Sequence, residues 1–308
     1  MNILLTAIGS ASAVSVAKAI SKNGNTVYGT DIYPSEWIYG VEAFAKVYRA
    51  PLASSAEYVE SMLHFAKDCK ADMIIPLTDP ECDALAKYKE LFKNQNIILA
   101  CLDGELNALC RNKLLIQHRL KNIVNTIDTY TIRDADKLTF PMIAKLIDGR
   151  SSEGLKVLHC AEELEPIKND NYILQKYIDG DIYTVDCVQD EFGTCVCLAR
   201  KELMRTVNGL GTVVEFFDKP TAETYAEKIM RELGIVGCVN MEFICSDGIF
   251  YFLEINPRFS GGVGFSIMQG YDFAMASVNA YSGKKISPEI NRRKSIIKQG
   301  YEKQFSRC

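Results

Sequence analysis

Tryptophan occurs once in 308 residues and histidine only three times. No two cysteines stand in a CxxC spacing, so a zinc site gains little support. No apolar run reaches about 18 residues, which leaves nothing to span a bilayer as a helix. The first 17 residues carry no charge and include Ala11, Ser12 and Ala13, but the basic start of a secretory leader is missing. Internal repeats and low-complexity linkers are absent as well.

What is present describes a globular chain. Apolar residues make up 48% and charged residues 24%, enough length and core for roughly two domains of about 150 residues. Eleven cysteines are an odd number, and Cys187, Cys195, Cys197 and Cys245 lie in apolar runs. Buried free thiols in a reducing compartment, hence a cytoplasmic protein, are the expectation. Lys plus Arg is 35 against 39 Asp plus Glu, yet from Lys284 onward eight basic residues face two acidic ones, leaving a +6 tail on a −10 body. An acidic body argues against a nucleic-acid surface. The tail either touches phosphates or, the preferred reading, forms a solvated helix.

The opening alternates strand and helix: strand 2–7, helix 13–22, strand 26–31, helix 56–70, strand 73–77, helix 80–93, strand 96–100. Such alternation predicts a parallel sheet covered on both faces. After residue 100 a helix near 111–120 precedes strands near 140–147, 155–159, 172–178, 182–189 and 194–204, whose short connections fit antiparallel pairing. A helix over 220–233, strands over 236–245 and 249–256 and a helix near 272–282 complete an α+β body.

Three stretches carry chemistry. The turn GSASA (9–13), with Asp31 about 20 residues on, sits where a dinucleotide fingerprint would, but it lacks the second and third glycines. This lobe more plausibly shapes a substrate cleft, with Thr78, Asp79 and Glu81 at the carboxyl end of a strand. GRSSEG (149–154) has the Gly-x4-Gly spacing of a phosphate loop, but Leu155 replaces the Walker lysine and a strand follows. Its backbone N–H groups can still meet phosphate oxygens, or it is an ordinary hairpin loop. Lys145, within the apolar run PMIAKLI, and Lys113, opening a helix, would both suit a nucleotide triphosphate; for Lys113 alone a surface role is the better reading.

The third stretch is VNMEFICSDGIFYFLEINPRFSGG (239–262). Odd positions Val239, Met241, Phe243, Cys245, Tyr251, Leu253 and Ile255 are apolar and predict a core face. Asn240, Glu242, Glu254 and Asn256 then share the other face, provided a three-residue loop centred on Gly248 sets Glu242 opposite Glu254. Like charges directly opposite are destabilising, so the arrangement makes sense with a cation between them; the other reading is two exposed Glu on a hairpin. Glu242, Glu254 and the Asn256 amide are hard oxygen ligands for Mg²⁺, with Arg258 nearby to stabilise phosphoryl charge.

These residues resemble the ATP-grasp superfamily, especially units similar to the carbamoyl-phosphate synthase large subunit and to small carboxylate–amine ligases. The resemblance covers nearly the whole chain and is strongest at Glu242 and LEINPR. It implies a Rossmann-like α/β pre-ATP-grasp domain with a parallel sheet (1–100), followed by an α+β ATP-grasp fold of a small subdomain (101–178) and a large subdomain (179–308). By resemblance ATP would meet Lys113, Lys145 and the loop Gly149, Ser151, Ser152, Gly154. Adenine would lie on the hinge Gln175, Lys176, Tyr177 and Ile178. In the family pattern G-x-E-Y-x-x-D, Ile182 stands where an acid grips ribose; either Asp181 substitutes from one position away or the ribose is held differently, and Asp186 matches the last acid.

The implied chemistry is ADP-forming ligation of a carboxylate to an amine through an acylphosphate, using ATP and Mg²⁺, or Mn²⁺ in its place. Arg258, Lys201 and Arg205 are the expected catalytic cations, and Ser260 and Gly261 join Thr78, Asp79 and Glu81 as substrate contacts. The partners are small-molecule acids and amines, with a homodimer left open. Two alternatives stand: phosphorylation of bicarbonate or carbamate, and a nucleotide-binding regulatory protein without turnover.

Overall fold

The computed structural model describes residues 1–150, 153–167, 171–217, 221–300 and 304. The first hundred residues build a sheet of five parallel strands: β1 (Asn2–Leu5), β2 (Thr26–Asp31), β3 (Val47–Arg49), β4 (Met73–Ile75) and β5 (Ile98–Leu99). Their order, β3-β2-β1-β4-β5, is that of an open α/β sheet. The helices are α1 (Ala13–Lys22), α2 (Tyr58–Asp68), α3 (Asp79–Leu85) and α4 (Lys89–Lys93). The helix expected over 80–93 is thus broken after Leu85 by a short 3₁₀ turn at Ala86–Tyr88. α1 buries Ala13, Val16, Ala17, Ala19 and Ile20, the i, i+3, i+4 stripe that seats a helix on a sheet.

α5 (Gly104–Arg111) and α6 (Lys113–Leu120) lead out of this lobe. Asn112 separates them and caps α6: its side-chain oxygen accepts from the Leu114 and Leu115 N–H groups at 3.1 and 3.0 Å. A four-stranded antiparallel sheet follows, with β6 (Thr129–Thr131), β7 (Met142–Leu146), β8 (Lys156–Leu158) and β9 (Tyr172–Lys176) in the order β6-β9-β7-β8.

The remaining chain forms a six-stranded antiparallel sheet. Its strands β10 (Asp181–Gln189), β11 (Cys195–Arg205), β12 (Gly211–Phe216), β13 (Gly237–Ser246), β14 (Ile249–Asn256) and β15 (Ser295–Lys298) lie in the order β14-β13-β10-β11-β12-β15. Three helices complete it: α7 (Thr221–Glu232), α8 (Val263–Met268) and α9 (Phe273–Tyr281).

One core joins the lobes. Ile3, Leu5, Val16 and Ile20 of the first sheet and α1 are in the same buried cluster as Leu198, Phe216, Val263 and Phe273. The cysteines of the described residues are all free, and among those residues no helix is long and apolar enough to cross a membrane.

The basic tail differs from the solvated helix expected for it. Its residues 295–298 extend the large sheet by pairing β15 with β12. Arg292 is held against the fully buried Glu223, with both guanidinium nitrogens at 2.7 Å from its carboxylate. At least one charge of that cluster is therefore structural.

Candidate active site

Both antiparallel sheets and the segments that follow β1 and β4 in the first lobe contribute to one cavity of about 600 Å³. The hairpin β13–β14 supplies its acidic wall, by a route other than the one expected. The turn has two residues, Asp247 and Gly248, with Ser246 opposite Ile249. Both turn residues have positive φ, 51° and 78°, as a type I′ turn requires.

A two-residue turn alone would set Glu242 against Leu253. Instead the register shifts by one between Glu242 and Phe243, so Glu242 pairs with Glu254, Met241 with Ile255 and Asn240 with Asn256. Leu253 is the extra residue of a β-bulge. Past it the alternation changes phase: Phe250 and Phe252, rather than Tyr251 and Leu253, enter the core, and Ile255 resumes the odd phase. The Gln117 amide on α6 donates to the Phe252 and Leu253 carbonyls, both at 3.0 Å, and satisfies the backbone the bulge frees.

The two carboxylates do not face each other bare. Arg205 Nη2 lies 3.1 and 3.0 Å from the two oxygens of Glu242. Lys113 Nζ lies 3.6 Å from Glu254 Oε2 and donates to the Gly149 carbonyl at 2.5 Å. Asn256 Nδ2 bridges Glu254 Oε1 and Asn240 Oδ1, each at 3.3 Å.

Burial pushes the Glu242 carboxyl above the usual range, and Glu254 and Glu202 add to this against the pull of Arg205. Burial acts on Glu254 too, but Lys113 and Lys145 outweigh it and hold that carboxyl low. Lys145 also lines the cavity; desolvation, with Lys113 repelling it, keeps its ammonium below the ordinary lysine range despite Glu254. A cavity holding two carboxylates, an amide and two lysines suits a divalent cation together with phosphate oxygens. Among the described residues no three His, Cys, Asp or Glu side chains cluster as a metal site, so the hard-cation reading rests on Glu242, Glu254 and the Asn256 amide.

The residues expected at phosphate and base divide. Gly149 lines the cavity with Arg150 and Glu153; Ser151 and Ser152 lie outside the described residues. Gly154 has φ +67° and stands off the cavity wall, where a Cβ would come within 2.7 Å of the Tyr172 hydroxyl. Gln175 is buried and donates to Thr129 Oγ1 at 2.8 Å, and neither it nor Lys176, Tyr177 or Ile178 lines the cavity. Apolar wall residues include Ile143, Leu146, Ile182, Ile244 and Leu253.

Three further expected site residues, Lys201, Asp181 and Glu81, do not line the cavity. Lys201 and Asp181 ion-pair with each other at 2.5 Å and line no part of the cavity, because Arg200 and Glu202 occupy its face and alternation sends Lys201 to the opposite one. Glu81 turns into the first lobe, where the hydroxyls of Thr6, Thr78 and Tyr58 donate to it at 2.7, 2.9 and 3.1 Å; burial still holds its carboxyl high.

Thr78, Asp79, Arg258, Ser260 and Gly261 do line the far end. Arg258 grips Asp79 with two bonds, Nε to Oδ1 at 3.0 Å and Nη2 to Oδ2 at 2.9 Å, and so fastens the exit of β14 to the start of α3. Burial would raise the Asp79 carboxyl, but Arg258 and Arg111 more than offset it and hold it low.

Sequence reasoning missed a buried network behind this end. Arg200, 2% exposed, donates to Asp186 at 2.6 Å, Ser266 at 3.2 Å and Ser260 at 3.0 Å, and its Nε is 3.3 Å from Glu202. Thr184 donates to Glu202 at 2.8 Å. Asp186 is thereby engaged with Arg200 and Ser266. The available signal was the charged triplet Arg200, Lys201, Glu202 interrupting an apolar strand.

Two stretches of the chain match known families. Residues 3–102 match the family described as "PylC-like, N-terminal domain", and residues 168–304 match "ATP-grasp in the biosynthetic pathway with Ter operon". The carbamoyl phosphate synthase large chain of Caldanaerobacter subterraneus subsp. tengcongensis is 30% identical over 181 residues, 51% of this chain and 16% of that protein. The D-alanine–D-alanine ligase of Fusobacterium nucleatum subsp. nucleatum is 33% identical over 130 residues, 38% of this chain and 45% of that protein. The chain therefore matches only a minor part of the large relatives' length.

Among solved structures, the biotin carboxylase domain of the Hydrogenobacter thermophilus 2-oxoglutarate carboxylase, determined with MgADP, ADP and bicarbonate, superposes with a TM-score of 0.79 at 17% identity. It covers 96% of this chain and 73% of that one. N5-carboxyaminoimidazole synthetase from Staphylococcus aureus gives 0.75 at 18% identity, covering 94% and 80%. At these identities the likeness speaks for the fold.

Proposed function

Because residues 168–304 match an ATP-grasp family and residues 3–102 a PylC-like N-terminal domain, we propose that the chain is an ATP-dependent, ADP-forming ligase that joins a small carboxylic acid to an amine through an acylphosphate. One observation carries this reading: Glu242 and Glu254 face one another across two strands, in a cavity that also receives Lys113 and Lys145 from separate elements. In this reading residues 1–100 bound the acceptor end, 101–178 cover the nucleotide and 179–308 hold the metal.

Glu242, Glu254 and Asn256 would hold Mg²⁺, or Mn²⁺ in its place. The cation would neutralise charge on the triphosphate and on the group in transfer. Lys113 and Lys145 balance the phosphate oxygens, and the Gly149 segment, tied to Lys113, closes over them. Ile143, Ile182, Ile244 and Leu253 would supply the apolar surface for the base.

At the far end an acceptor carboxylate oxygen attacks the γ-phosphorus and ADP leaves. The amine nitrogen then attacks the acyl carbon, phosphate departs and the amine proton passes to solvent. Arg258, fixed by Asp79, is placed to stabilise charge on the transferring group, and Ser260 and Gly261 border the acceptor. The walls contribute chiefly by positioning reactants and excluding water, so no side-chain nucleophile is needed.

The test is release of ADP and phosphate from Mg-ATP with pools of acids, with and without amines. Amine-dependent release is the expected result. Bicarbonate-dependent release without an amine would favour a carboxyphosphate-forming enzyme, and tight nucleotide binding without turnover a regulatory protein; either would overturn the proposal.

A further inference from the structure

Arg205 reaches the cavity only because β11 is irregular. Arg200 and Glu202 face the cavity, and strict alternation would turn residue 205 away. The register against β12 shifts twice, between Glu202 and Met204 and between Met204 and Arg205, and the guanidinium arrives on the cavity side. There it engages two groups. Nη2 meets both oxygens of Glu242, and Nε donates to the Gly209 carbonyl at 2.9 Å.

Gly209 belongs to a compact loop, 206–210, closed by Thr206 N–H to the Leu210 carbonyl at 2.8 Å and Gly209 N–H to the Thr206 carbonyl at 2.9 Å. Leu210 packs so closely on Gly261, at the acceptor end, that a Cβ there would meet Leu210 Cδ1 at 2.6 Å. One side chain thus connects a carboxylate of the acidic pair to the loop beside the acceptor.

We propose that Arg205 is a latch for which a divalent cation is the key. With no cation bound, the guanidinium neutralises Glu242 and pins loop 206–210 over the acceptor end. A cation on Glu242 takes the oxygens that Arg205 holds, and two positive charges cannot share them at close range without repulsion. Arg205 then leaves, the loop loosens, and the freed guanidinium can receive the acceptor carboxylate in a bidentate pair. Metal-nucleotide therefore binds first and the acid second. This inference rests on the proposed reading of Glu242 as a metal ligand.

The test follows Mn²⁺ binding by electron paramagnetic resonance without nucleotide or acid, together with hydrogen exchange of residues 206–210. Arg205→Gln should bind Mn²⁺ about tenfold more tightly than the wild type, since the competitor is gone, and Arg205→Lys should fall between. Exchange in the loop should quicken on adding Mn²⁺ to the wild type and be fast from the start in Arg205→Gln. Equal Mn²⁺ affinity in all three proteins, with loop exchange indifferent to the metal, would overturn the latch and leave the metal site standing. Absence of Mn²⁺ binding from all three would overturn the metal reading and the latch with it. Should Arg205→Gln fail to fold, Arg205→Lys carries the same comparison.

Discussion

Replacing Asp79 with asparagine removes the charge that Arg258 grips with two bonds while preserving side-chain shape. Asp79 is nearly inaccessible, its side chain 3% exposed, and a second guanidinium, Arg111, lies 3.9 Å away. Arg111 keeps Asp83 at 3.4 Å and the Asp148 carbonyl at 2.7 Å, so the loss falls mainly on Arg258. Breaking a buried ion pair by neutralising one partner costs about 3–5 kcal/mol. Here Arg258 retains the Phe259 carbonyl and is 19% exposed, which reduces the expected cost to roughly 2–4 kcal/mol.

At about 2–4 °C per kcal/mol for a chain of this size, the thermal midpoint of Asp79→Asn should fall by roughly 4–16 °C. The pH dependence gives an independent check. The folded carboxyl is held below its unfolded value of about 3.9, so the pair contributes in full above that pH and the contribution disappears as pH falls through the lower, folded value. The gap between wild type and variant should be constant from pH 7 to 5 and narrow only in stronger acid. Scanning calorimetry across that range decides the matter. A midpoint change under about 1 °C at pH 7, or a gap that closes near neutrality, would refute the assignment of Asp79–Arg258 as the tie between lobes.

Four further outcomes are expected. Glu254→Gln should abolish the stabilisation that Mg-ADP gives the wild type, about 2.7 kcal/mol at a hundred times the dissociation constant, as read by thermal shift. Lys145→Met should raise the ligand-free midpoint, by an amount equivalent to about 0.5–1 kcal/mol, because it removes a desolvated cation, while nucleotide binding measured by calorimetry disappears. Gly211→Ala would place a Cβ 1.5 Å from Glu202 Oε2, and urea titration should show a loss of about 1–3 kcal/mol. Lys201→Ala, on the far face and paired only with a half-exposed Asp181, should change stability by less than about 1 kcal/mol and leave nucleotide affinity unaltered.

Much of the fold was readable because its signals are local. The alternation of β1, α1 and β2 announced the parallel sheet, and the even residues 240, 242, 254 and 256 marked the shared face of β13 and β14 in the sequence itself. What escaped depended on context. Asp-Gly fits two- and three-residue turns equally well, and a bulge at Leu253 leaves no local mark, so the pairing was reached through the wrong turn. Lys201 and Arg205 look alike as charged residues near a strand end; only the two register slips between them decide that one faces the cavity and the other does not. Arg200 and Asp186 find each other across β10 and β11, a long-range match that no window of sequence displays. β15 escaped because its four residues sit within a basic stretch that reads as solvent-facing.

The bulge at Leu253 also sets how densely the cavity wall is furnished. On a regular strand, residues sharing a side lie two positions apart, about 6.6 Å along the chain, with the intervening side chain lost to the other face. At the bulge two consecutive residues, one apolar and one acidic, look into the same space, separated by a single 3.8 Å step between Cα atoms. A greasy surface and a charged one thereby adjoin with no spacer between them. Deleting Leu253 would leave Glu242 opposite Glu254 and both phenylalanines in the core, yet the hairpin would then present acid without its apolar neighbour.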